Sequence, residues 1–163
     1  MMQHGNGQSG PLTDSADAER LYKEALYYLK RREPNMATHV LNRALEAKPG
    51  DPRFLSCLGL CKAMVNRRSN EALELCEKAL AVGAYGDFFY CNLGKVHVLR
   101  GNKRKAYAAF QAGLKTNPRN RDIVKELRSM GVRQEAFFTF LSRGHFINRF
   151  VGRMRNMLGP PTV

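Results

Sequence analysis

Residues 16–49 read ADAERLYKEALYYL, then KRREPN, then MATHVLNRALEAKP, and this stretch decides the fold. Its last piece places Met36, Val40, Leu41, Ala44 and Leu45 at the spacing of one helix face. Pro34 falls in the first turn of that helix, where a missing N–H costs nothing. Pro49-Gly50-Asp51-Pro52 then stops it, and Asp51-Pro52 offers an N-cap followed by proline at the first position of the next helix. The stretch is therefore two helices joined by a short basic turn.

Working outward, the same residue types return at an offset of 34 or 35. Small residues recur at Ala25, Gly59 and Gly94, at Ala37, Ala72 and Ala106, and at Ala44, Ala79 and Gly113. An apolar row, Leu41, Cys76 and Phe110, lies between the last two, and Pro49, Ala84 and Pro118 close the units. Gly or Ala at a helix crossing lets backbones approach, while one such unit cannot bury its apolar face alone.

These residues resemble the tetratricopeptide repeat (TPR) family, a 34-residue helix–turn–helix unit with W-x2-L-G-x2-Y, A-x3-F and a final proline. The first helices give Leu21, Ala25 and Tyr28, then Leu55, Leu58 and Gly59, then Tyr90, Leu93, Gly94 and His97. The second helices give Ala37-x3-Leu41, Ala72-x3-Cys76 and Ala106-x3-Phe110. Glu24 departs from the usual leucine, Lys62 from the tyrosine, and one residue is inserted between Asn66 and Glu71. The resemblance implies an all-α, right-handed α-solenoid of three repeats, about 16–50, 51–85 and 86–118. Residues 119–130 read as a capping helix with a stripe of Ile123, Val124 and Leu127, ended by Gly131. Residues 1–15 read as a disordered N-terminal segment and 131–163 as a separate tail.

The chain has 163 residues, 44% of them hydrophobic, enough for a real core. Its 4 cysteines show no framework spacing, which suits free thiols in a reducing compartment. The polar N-terminus has no secretory apolar core, and no run is long enough to span a membrane, so the expected location is cytoplasmic. With 27 Lys+Arg against 14 Asp+Glu, the net charge is +13, which attracts acidic partners. No phosphate-cradling glycine loop, HExxH or nucleophile elbow is present, so no enzyme is expected, and no cofactor or metal is implied. Cys57 and Cys61 share a helix face, but small buried thiols explain them more simply than zinc knuckles do. His97 stands at a tyrosine position and reads as a packing residue.

The resemblance also implies a binding groove lined by the first helices. Carried over, its inward positions become Tyr22, Leu26 and Leu29, then Leu60, Ala63 and Met64, then Phe88, Cys91, Lys95, Val98 and Leu99. One subset of the family clamps a C-terminal carboxylate with Lys, Asn and Arg. The corresponding places here hold Tyr22, Leu26, Cys57, Phe88 and Asn92, so that clamp is absent. What remains is an apolar groove suited to an extended or helical peptide with apolar anchors.

The turns inside the repeats carry Lys30, Arg31 and Arg32, then Arg67 and Arg68, then Arg100, Lys103, Arg104 and Lys105. In a solenoid these stack along one edge, a positive ridge suited to an acidic partner. The tail adds an apolar cluster at Phe137, Phe138 and Phe140, and an amphipathic helix expected over 145–158. Phe146, Ile147 and Phe150 lie on its apolar face, and Arg149 and Arg153 on its basic one. Three fates are open to this tail: folding back on the solenoid, docking on a partner or a second copy, or lying on an anionic membrane. Basic turns without interleaved aromatics favour lipid over nucleic acid. The expected function is a non-catalytic adaptor or scaffold holding a partner peptide or helix. Its alternatives are peripheral membrane binding through the tail and self-association by tail-in-groove exchange.

Overall fold

The computed structural model describes residues 15–82 and 86–131. Among them are α1 (Ser15–Lys30), α2 (Pro34–Ala47), α3 (Pro52–Val65), α4 (Asn70–Ala81), α5 (Asp87–Leu99), α6 (Lys103–Thr116) and α7 (Arg121–Ser129), with no strand. Ser15, expected in the leading segment, opens α1. The rest of that segment, the unit-closing Ala84 and the tail sites Phe137, Phe138, Phe140, Phe146, Ile147, Arg149, Phe150 and Arg153 lie outside the described residues. All seven helices belong to a unit that ends at Met130; residues 131–163 form a second.

Helices pair in sequence order, α1 with α2, α3 with α4 and α5 with α6. Each second helix also packs on the first helix that follows it, while α3 packs on α5 and α5 on α7. The second helices make no comparable contact with one another. First helices thus neighbour one another along one side of the stack, α1 reaching α3 through the Tyr22–Phe54 ring contact.

The small-residue rows explain the pairing. Ala25, Ala37, Ala44, Ala72, Ala79 and Ala106 are all fully buried. A methyl group at Gly59 would meet the Ala72 carbonyl oxygen and the Cys76 sulfur, each at 2.7 Å. At Gly94 it would run into the ring of Phe110, itself fully buried. The second and third pairs are therefore close only because glycine is there.

Helix ends follow the sequence. Asp51 caps α3, its side chain accepting from the Arg53 N–H at 2.9 Å, with Pro52 at the first position. Ser69 and Asn120 do the same for α4 and α7. The residue inserted after Asn66 is absorbed in the turn before α4, and the α3–α4 pairing is kept. The first and third turns close alike, Glu33 N bonding to Tyr28 O and Asn102 N to His97 O. Their left-handed position is Gly101 in the third turn (φ 78°) but Arg32 in the first (φ 60°), a conformation that costs a side chain energy.

Candidate functional site

The residues expected to line a groove lie on α1, α3 and α5, and they divide by burial. Tyr22, Ala63 and Cys91 are buried, at 9%, 0% and 4% exposure. Tyr22 stacks on Phe54 with ring centroids 5.1 Å apart, and the Arg53 guanidinium lies over both rings. Leu26, Leu29, Leu60, Met64, Phe88, Lys95, Val98 and Leu99 are half-buried. Leu26, Leu29 and Phe88 flank the core of the first two repeats, Leu60 and Leu99 flank the Ala63–Val96 cluster, and Val98 leans on that of Phe110. Met64 belongs to none of these clusters.

The positions of the absent carboxylate clamp are neutral and mostly sealed. Cys57 is 1% exposed, and Asn92, at 4%, donates to the Ser56 hydroxyl at 3.0 Å. The one clamp-type amide in place is thus spent on the neighbouring first helix.

The four described thiols are free and buried. Burial pushes those of Cys57, Cys61 and Cys76 up to about 12, so they stay protonated and unreactive. Among the described residues no three His, Cys, Asp or Glu side chains are grouped to hold a metal ion. His97 is buried with its Nδ1 unpartnered. Burial first, then the nearby charge of Lys105, hold its pKa below the ordinary imidazole value.

The turn edge is exposed at Lys30, Arg31, Arg32, Arg67, Arg68, Lys103, Arg104 and Lys105. Arg31 turns back on Glu33 at 2.7 Å and on the Tyr27 hydroxyl. Arg100 has a structural role, donating to the Ser69 carbonyl at 2.6 Å and to Asn70 Oδ1 at 3.1 Å, which ties the third turn to the second. The opposite edge is held by polar networks between repeats. Arg53 pairs with Glu19 and Asp51, and Lys48 reaches Asp51 at 3.0 Å. Burial alone would raise the Asp51 pKa, but bonds from Arg53 and Lys48 bring it to about 2. Further along, Asn117 and Asn120 both donate to Asp87. Lys62, in the place of a tyrosine, pairs with Glu71 across its own repeat at 3.1 Å.

One basic group is not picked out by the repeat pattern alone. Arg119, Arg121, Lys125 and Arg128 line one depression around Val124 on α7. A sequence signal for it exists: Arg128 follows Gly94 by 34 residues, so an arginine occupies the row reserved for small residues.

No protein-family model matches the chain. Over 112 residues it is 28% identical to the BBSome complex member BBS4 of Mus musculus, a stretch covering 69% of this chain and 21% of that protein. The chain spans only about a fifth of that relative's length. Among solved structures it is similar to the first TPR of Spaghetti (RPAP3) bound to the HSP90 peptide SRMEEVD. There the TM-score is 0.60 at 19% identity, covering 72% of this chain and 95% of that one. It is equally similar to the Sgt2 TPR domain of Aspergillus fumigatus, with TM-score 0.60, 17% identity, and 94% and 93% of the two chains covered. Helix pairs in a common register, small residues at their crossings and this likeness give the chain the fold of tetratricopeptide-repeat domains, an α-solenoid of three helix pairs followed by one further helix among the described residues.

Proposed function

We propose that the chain is a non-catalytic adaptor that holds a partner peptide or helix against its concave, apolar face. The observation that carries this reading is the inner row itself. Leu26, Leu29, Leu60, Met64, Phe88, Val98 and Leu99 keep part of their surface free on adjacent first helices, with Lys95 among them. Partly exposed apolar side chains on a rigid curved face suit a segment that brings its own apolar anchors. The similar RPAP3 domain holds a peptide, which supports peptide binding as the mode of action. The neutral, sealed clamp positions point to side-chain anchors rather than to a terminal carboxylate. Four free thiols are in keeping with a cytoplasmic location. The membrane and self-association readings rest on the tail and draw no support from the described residues.

The test uses the full chain and a peptide selected on it from a random library. Met64→Glu places a charge among apolar anchors and should weaken that peptide at least about tenfold, with helicity and melting unchanged. Unchanged affinity in a folded Met64→Glu protein would move the site off this face.

A further inference from the structure

The outer face of α7 marks a second surface, independent of the concave one. First helices meet their own second helix through a fixed row: Leu21 and Ala25 in α1, Leu55 and Gly59 in α3, Tyr90 and Gly94 in α5. In α7 the same register gives Val124 and Arg128. The row that would take an eighth helix therefore ends in a long cation, and Arg119, Arg121 and Lys125 surround it. All four cations are clear of the core, and none is ion-paired among the described residues. The acids of α7 lie elsewhere: the charges of Asp122 and Glu126 reach Cys91 on α5. Ile123, Leu127 and Met130 are turned into the Phe110 cluster, which fixes the opposite face of α7 outward.

We infer that this face docks an acidic helical segment of a partner protein, seated where the second helix of a fourth repeat would lie. Charge selects the occupant. A second copy of a chain of net charge +13 would be repelled. The tail of this chain brings Arg133, Arg143, Arg149, Arg153 and Arg155 against Glu135 alone, so it does not complement the face either. A helix with carboxylates at i, i+4 and i+7 matches Arg121, Lys125 and Arg128, which repeat at that spacing. Val124 supplies an apolar contact at the centre, and the arginine stems extend it. A patch confined to about two turns of one helix, roughly 10 Å long, is small for a bilayer or a nucleic-acid backbone.

Fluorescence anisotropy on the full-length protein tests this with a labelled synthetic helix bearing glutamate at that spacing and leucine between. Reversing Arg121→Glu and Arg128→Glu together should weaken binding about tenfold or more. Reversing Lys23→Glu and Lys78→Glu, an equal charge change on exposed positions elsewhere, should change it less than twofold. A peptide of the same composition interrupted by proline should bind more weakly. Circular dichroism and melting confirm that each variant is folded. Three results would overturn the inference: no binding by the wild type, equal loss in both reversals, or equal affinity for the proline peptide. Phosphatidylserine vesicles and an oligothymidylate are run in parallel. If either binds in preference to the helix and loses affinity on the α7 reversal, the face belongs to that ligand and the acidic-helix assignment is wrong.

Discussion

The two ends of the described helical stack solve one problem with different charges. After α1, the first helices and α7 carry an apolar row in one register: Phe54, Leu58 and Cys61, then Phe89, Leu93 and Val96, then Ile123, Leu127 and Met130. All but Phe89 belong to clusters that include residues of the preceding second helix. In α1 the same row is Arg20, Glu24 and Tyr27, with Asp17 paired to Arg20 and Tyr27 55% exposed. That end is polar and uses both signs. The α7 end is polar and uses one. Terminal repeats need an outer face that water tolerates, and α1 demonstrates that mixed charge suffices. Solubility alone therefore does not explain a patch of one sign, whose members repel each other at short range.

The junctions differ in the same sense. Lys48 and Asp51 at the first correspond, 69 residues on, to Asn117 and Asn120 at the last. An ionic network in one place is an amide network in the other, and each closes on the first turn of a first helix.

The largest effect should come from removing what α7 buries. Ile123 is fully buried beneath Gly113 and beside Phe110, so Ile123→Ala should cost about 2–5 kcal/mol in denaturant unfolding. Tyr27→Ala at the other end should cost under about 1 kcal/mol. Equal losses would mean that α7 buries no more against the stack than the outer face of α1 does.

Acid should separate the junctions next. Asp51 has its folded pKa lowered from 3.8 to about 2, so its contribution is complete above pH 4 and is lost as pH falls toward 2. Asp87, held down chiefly by Asn120, is shifted the same way but less. Hydrogen-exchange protection factors, which remove the intrinsic pH dependence of the rate, should fall more between pH 6 and pH 3 at the start of α3 than at the start of α7. Equal loss of protection would remove the distinction between ionic and amide junctions.

The smallest effect is the most direct on charge. Arg121→Glu should raise the unfolding free energy by a few tenths of a kcal/mol in low salt, because it relieves repulsion on its own face and puts an acid in the first turn of α7. Arg20→Glu should lower it by a similar amount by losing Asp17. Both differences should vanish near 1 M salt, where screening reaches about 3 Å. The same sign for both variants would show that the two ends are electrostatically alike.

Periodicity made most of the fold legible. The rows of small residues and the Asp51-Pro52 start are local or evenly spaced features, and each appears where the register puts it. Depth was not legible. An inward position says which way a side chain points but not how closely α3 approaches α5, so Tyr22, Ala63 and Cys91 read as groove and lie buried. Arg100 reads as one more cation of an edge, because its partners Ser69 and Asn70 are 31 and 30 residues away. The α7 patch is masked in the sequence by the apolar stripe on the same helix. Val124 reads as part of that stripe but lies in the basic depression.

The close approach of glycine to its partner helix also limits how this chain can be rearranged. Gly59 is fitted to Cys76, and Gly94 to the broad ring of Phe110. Helices α4 and α6 share a register but are not exchangeable parts, since either would meet the wrong counterpart. A duplication, deletion or graft that keeps a first helix with its own second helix preserves the fit, while one that cuts through the turn destroys it. The inheritable unit of this solenoid is the helix pair.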